Sequence, residues 1–193
     1  MTQRYPLPDL NTLPEDIRTR ILEVQDKAGF IPNVFLAFAR RPDEWRAFFA
    51  YHDALMLREQ GSLTKGEREM IVTATSAASQ CLYCVVAHGA ILRIYEKNPL
   101  VADQVAVNHS KADISARQQA MLDFAMKVCL RAQEIDDADF EALHPHGFDD
   151  EDIWDIAAIT AFFGLSNRMA NFSGMQPNPE FYLMGRMPRE KKG

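Results

Sequence analysis

Alternation of apolar and polar residues with a period of two is missing throughout this 193-residue sequence, and no Asn-Gly or comparable hairpin signal joins two apolar runs. A β-sheet fold is excluded, and the class that is left is all-α. Long apolar runs are missing too: nothing approaches the roughly 18 uninterrupted apolar residues of a membrane span. Positive charge is in the minority, with 21 Lys and Arg against 27 Asp and Glu, for a net charge of −6. That balance argues against nucleic acid and anionic membrane surfaces as partners. The opening residues, MTQRYPLPDLNTLPEDI, lack the apolar core of a signal peptide. Cysteine is scarce, with three in the chain, and with that opening this fits a reducing cytoplasm. No fixed-period repeat and no low-complexity tract breaks the chain. What is abundant is apolar side chain, 47% of residues, ample for the core of one domain over residues 1–193.

Helix signals follow one another along the chain. Residues 1–14 hold three prolines and no periodic pattern, which reads as an extended arm. Pro14-Glu15-Asp16 puts acids in a first helical turn, and that helix runs to a stop at Gly29. Asn33 is placed to cap a short helix before Pro42, which suits the first turn of the next. There Trp45, Phe48, Phe49, His52, Leu55 and Met56 recur at helical spacing, a core-facing stripe in which His52 is a buried or partly buried histidine rather than a ligand. Two helices then follow, about 64–79 and 81–97. His109 falls in a polar loop and reads as solvated. Ser115 caps a long helix whose Cys129 reads as a small core hydrophobe. His144-Pro145-His146-Gly147 is a turn before a metal site, since no carboxylate or thiol stands at ligand spacing. Asp149 caps the last long helix, apolar almost all round from Ile156 to Leu165, so it is buried in the core or against another subunit. Asn167, Arg168 and Asn171 near its end must find polar partners. Pro177 and Pro179 end regular structure, and residues 177–193 read as a tail with a basic end.

The chemistry is concentrated in EREMIVTATSAASQCLYCVVAHGAILRIYE, residues 67–96. Cys81 and Cys84 are three residues apart, so on a helix their side chains share a face and the sulfurs can close a disulfide with little backbone movement. His88, four residues past Cys84, lies on the same face, where its ring can take or return a proton. AASQ reads as a helix break, which puts both cysteines in or just before the first turn of a new helix. The partial positive charge there lowers a thiol pKa and activates the thiolate. Glu69 is the only ionisable group from there to Ser79, and its carboxylate is placed to hold the His88 ring. Glu67, not Glu69, occupies the capping-box position behind Thr64.

Glu69-x11-Cys81-x2-Cys84-x3-His88 resembles the active-site motif of the AhpD-like alkylhydroperoxidases of the carboxymuconolactone decarboxylase superfamily. IPNVFLAF, LTKGERE and FFGLSNRMANFSG are similar to its peroxidase-related subgroup, and the likeness runs from about Phe30 to Gly174. The resemblance implies an all-α AhpD-like helical bundle with the cysteine pair at the start of a core helix. It implies a thiol-dependent peroxidase in which Cys84 attacks a hydroperoxide, Cys81 resolves the sulfenic acid to a disulfide, and Glu69 and His88 relay the proton. No cofactor is required. The implied partners are a hydroperoxide, a lipoylated or thioredoxin-like reductant protein, and further copies of the chain as a dimer, trimer or hexamer. One departure stands out: where the family carries a His directly before the second cysteine, this chain has Tyr83.

Three other readings use the same residues. Cys81, Cys84 and His88 could be zinc ligands, with Glu69 or water as the fourth, although three ligands on one helix are not a paired-knuckle arrangement. The pair could serve a redox sensor or disulfide-exchange protein with little turnover. Lactone decarboxylation, the chemistry of the superfamily's namesake, needs no cysteine pair.

Overall fold

A computed structural model describes residues 5–186. Those residues hold ten α-helices: α1 (Glu15–Ala28), α2 (Asn33–Ala39), α3 (Pro42–Met56), α4 (Lys65–Ala78), α5 (Leu82–Glu96), α6 (Val101–Asn108), α7 (Ala116–Arg131), α8 (Asp137–Leu143), α9 (Asp150–Ser173) and α10 (Pro179–Leu183). Among the described residues there is no strand. Local chemistry explains the boundaries. Thr64 and Glu67 form a reciprocal capping box, as do Ser115 with Gln118 and Asp149 with Asp152. Gly29 closes α1 at φ 84°, a left-handed conformation that costs glycine nothing. Asn33 is the first residue of α2 and not its cap; its amide N–H donates to Asn178 Oδ1 at 2.8 Å.

α4 is the axis of the bundle. Every residue from Gly66 to Ser76 is buried, and the helix packs against α5, α6, α7 and α9. A helix surrounded on all sides needs no polar stripe, which is why its sequence is small and apolar around a few polar residues. At Gly66 the Glu96 side chain of α5 lies directly against the α4 backbone, in the place a Cβ would take. One buried ion pair is included. Arg68, 1% exposed, donates to the Leu55 carbonyl at 2.8 Å and faces Asp155 of α9, which also pairs with Arg58 at 3.2 Å.

Two smaller clusters flank the main core. Ile17, Ile21, Trp45 and Phe49 join α1 to α3, with Phe35 of α2 stacked on Phe49 at 4.3 Å. His52 sits at this edge, partly buried, with its Nδ1 3.0 Å from Asp53. The other cluster surrounds the cysteine pair with Tyr83, Ala87, Ala90, Ala170 and Phe181.

Several expectations need correcting. Regular structure does not end at Pro177: Pro179 occupies the first turn of α10, where its missing N–H costs nothing. The expected arm is interrupted by a 3-10 turn, Leu10–Thr12, capped by Asp9. Residues 1–4 of the arm and residues 187–193, the basic end, lie outside the described residues. His109 is not free in solvent, because Asp123 lies 2.9 Å from its Nε2. Cys129 is only partly buried, its sulfur 3.9 Å from the Thr75 carbonyl. α9 divides its apolar residues between the core and the surface of the single chain. Ile153, Ile156, Ile159 and Phe163 enter the core, while Trp154, Leu165 and Phe172 are left exposed.

Candidate active site: a dithiol at the start of a helix

The turn between α4 and α5 positions the pair. Gln80 takes a left-handed conformation, φ 52°, which costs a non-glycine residue roughly 1–2 kcal/mol. Two reversing hydrogen bonds hold it there: Gln80 N–H donates to the Ala77 carbonyl and Cys81 N–H to the Ser76 carbonyl, both at 3.0 Å. Asn171 of α9 braces the same turn through the Ser79 carbonyl at 3.2 Å. The chain therefore enters α5 with Cys81 as N-cap, and its sulfur accepts the Cys84 amide N–H at 3.4 Å. A sulfur stands where Ser or Asp usually caps.

Both cysteines are free thiols buried below the surface, 0% and 1% exposed. The two sulfurs interact. The Cys84 S–H donates to Cys81 and, against the cost of burial, brings the Cys81 pKa from 9.0 down to about 7; the Cys84 amide and the His88 charge add to this. Cys84 is pushed well up by the same bond, then by burial and by the charge on Cys81, while the Ser166 and Ser76 hydroxyls pull the other way. The helix-start activation expected from the sequence falls on Cys81.

This has a sign that can be measured. Cys81 is more acidic folded than unfolded, so its contribution to stability is present above the ordinary value of 9.0 and lost as pH falls through about 7. The reduced chain is expected to gain stability between pH about 7 and about 9, and a Cys81→Ser chain to lack that gain. Denaturant titrations of the two chains across this range check it, and equal slopes would remove the Cys81 thiolate.

One turn further along α5, His88 Nδ1 lies 2.7 Å from Glu69 Oε2, with the imidazole edge-on to Phe163 at 4.7 Å. The carboxylate accepts the Nδ1–H, which leaves Nε2 as the ring's proton acceptor. Glu69 is 6% exposed, so the pair works away from bulk water. The structure thus brings Glu69, Cys81, Cys84 and His88 to one place. It does not make them a zinc set: Glu69 occupies one nitrogen of His88, and among the described residues no group of three or more His, Cys, Asp or Glu side chains is placed to hold a metal ion.

Tyr83, in place of the family's His, is a tie and not a relay. Its hydroxyl accepts the Val34 N–H at 3.2 Å, fastening α2 to α5, and burial pushes its pKa well up. The Asn167-Arg168 pair divides. Arg168 turns outward and donates to its own helix at Gly164 O, 2.6 Å away. Asn167 turns inward and accepts the Ser76 hydroxyl at 2.9 Å. Ser76 and Ser166 were missed by sequence reasoning, because a serine among small residues carries no signal until its neighbours are known. A separate apolar groove of about 1310 Å³ runs between α2, α3 and α9; Met175 lines it and also packs on the cysteine cluster.

Fold and site together define an AhpD-like helical bundle. Residues 42–107 match the Carboxymuconolactone decarboxylase family. A peroxidase-related protein with an alkylhydroperoxidase AhpD core, from Ralstonia eutropha JMP134, is 77% identical, with 96% of this chain and 97% of that chain covered and a TM-score of 0.95. A peroxidase-related protein from Silicibacter sp. TM1040 is 40% identical over 95% of this chain and 94% of that one, TM-score 0.89. The chain belongs to the carboxymuconolactone decarboxylase family, on its AhpD-like branch. A debrominase shares the fold at 20% identity, covering 96% of this chain and 97% of its own, TM-score 0.75. No curated protein matches the chain.

Proposed function

We propose that the protein is a thiol-dependent peroxidase acting on organic hydroperoxides. The observation that carries this reading is a buried pair of free thiols beside a buried His88–Glu69 pair. The Cys84 thiolate attacks the terminal peroxide oxygen; the S–O bond forms as the O–O bond breaks. The displaced alkoxide takes a proton by way of His88 and leaves as the alcohol. Cys81 then attacks the Cys84 sulfenic acid, giving the Cys81–Cys84 disulfide and water. A dithiol reductant, a lipoylated or thioredoxin-like protein by family resemblance, restores both thiols. The chemistry needs no cofactor.

Attack by Cys84 requires its proton to pass to Cys81 first, across the hydrogen bond that already joins the sulfurs. A second reading has support from the same bond: Cys81, the more acidic thiol, attacks and Cys84 resolves. The apolar groove that meets the cysteine cluster at Met175 supports an organic substrate. The exposed Trp154, Leu165 and Phe172 of α9 support self-association through that face. Among the described residues no helix is long and apolar enough to cross a membrane, and free thiols suit the cytoplasm proposed as its location.

Intact mass of the reduced protein, seconds after one equivalent of an organic hydroperoxide, tests the reading. The expected result is loss of two hydrogens, mapped to Cys81 and Cys84. With Cys81→Ser, one oxygen is expected on Cys84. Oxygen captured instead by Cys81 in a Cys84→Ser chain, with no oxidation of Cys84 in the other, selects the second reading. No rapid change in any of the three chains rejects the peroxidase.

A further inference from the structure

Behind the sulfurs lies a polar chain that the steps above do not use. Ser76 of α4 and Asn167 of α9 are both buried, at 0% and 1% exposure. The Ser76 hydroxyl donates to Asn167 Oδ1 at 2.9 Å, and the same hydroxyl faces the Cys84 sulfur. A serine has one proton to give. While Asn167 takes it, Ser76 has no proton to offer the Cys84 sulfur, whose own S–H is turned to Cys81. The other amide atom, Asn167 Nδ2, is buried without a partner. Native interiors rarely leave such a donor idle.

Turning the amide end for end reverses the chain. Nδ2 then donates to Ser76 Oγ, which releases the serine proton toward Cys84. The arrangement seen suits a Cys84 thiol, and the reversed one suits a Cys84 thiolate. We propose that Asn167 is a positioning residue: through Ser76 it delivers an O–H donor to Cys84 when that sulfur gives up its proton, and takes the donor back when the proton returns. Ser166, the other hydroxyl at the sulfur, makes no such link to Asn167 in the structure. The remaining titratable groups around the pair are Cys81 and Tyr83 on α5 and His88 with Glu69 of α4; none hydrogen-bonds Asn167. The proposal rests on Cys84 being the attacking sulfur, but its test involves no peroxide.

The measurement is the rate of Cys84 alkylation by iodoacetamide at fixed pH, mapped by mass, in a Cys81→Ser chain so that Cys84 titrates alone. Ser76→Ala is expected to slow it about tenfold, the effect of losing one hydrogen bond to a charged sulfur. Asn167→Asp keeps the size but, as a carboxylate, can only accept; it holds the serine proton away and is expected to slow alkylation by about the same factor. Asn167→Ala frees Ser76 and is expected to stay within about threefold of the parent. The combination of Ser76→Ala with Asn167→Asp is expected to be no slower than Ser76→Ala, because Asn167 acts through the serine. Additive losses would mean a direct field from the carboxylate and overturn the proposal. So would unchanged rates in both single variants, or an Asn167→Ala loss as large as that of Ser76→Ala. Where Asn167→Asp fails to fold, the contrast between the two alanine variants decides. Failure here with peroxide-driven disulfide formation intact would leave the peroxidase standing without the switch.

Discussion

Glu69→Gln is expected to slow peroxide reduction by about 10²–10⁴-fold, the usual worth of positioned proton transfer, while the fold stays intact. Glutamine is close to isosteric, and its carbonyl can still accept the His88 Nδ1–H that Glu69 accepts at 2.7 Å. What disappears is the negative charge facing the imidazole at the moment it becomes imidazolium. Glu69 is buried, so water does not supply a substitute. The loss should appear in the rate of the first oxidation, read by stopped-flow or by quenched intact mass. The final step, disulfide formation from a preformed sulfenic acid, should change less. A Glu69→Gln chain that oxidises at the parent rate removes the relay from the mechanism.

Asp155→Ala is expected to cost about 3–5 kcal/mol of stability, because it strands the Arg68 guanidinium in the core. Arg68 and Asp155 are 1% and 2% exposed at their side chains, and Arg58 shares the carboxylate. The Leu55 carbonyl would still accept one N–H, but the buried guanidinium would lose its carboxylate partner. Breaking such a pair on one side costs far more than the pair itself contributes. Replacing both ends, Arg68→Met with Asp155→Leu, should therefore recover most of the loss. Denaturant midpoints of the three chains test this. A single-variant loss below about 1 kcal/mol would show that water reaches Arg68, and that the ion pair is not the fixture between α4 and α9 described above.

The helix ends were legible in the sequence because capping is local: Thr64 with Glu67 and Asp149 with Asp152 are three residues apart and need no tertiary knowledge. Glu69 was legible for a different reason. It is a lone carboxylate in a run of small residues, so it needs an internal partner, and an imidazole one helix later was the available one. What could not be read is what depends on distant contacts. Ser76 and Asn167 are 91 residues apart and meet only because α9 crosses α4. The Asp155 carboxylate, too, gains its meaning only from Arg68, 87 residues away on α4. The division of acidity between Cys81 and Cys84 was also hidden. Both sit at the helix start by spacing, but which sulfur caps and which donates is settled by the left-handed turn at Gln80.

The last described helix gives the active site a history in time. Phe181 of α10 packs edge-on against Phe30 and Tyr83, and Arg93 of α5 holds the carbonyls of Phe181 and Met184 at 2.9 Å each. One wall of the thiol cluster is thus synthesised about a hundred residues after the cysteines it covers. On the ribosome, α4 and α5 emerge and can pair long before Phe181 does. During that interval the two sulfurs are assembled but not enclosed, so the newborn chain meets cellular oxidants with its thiols bare.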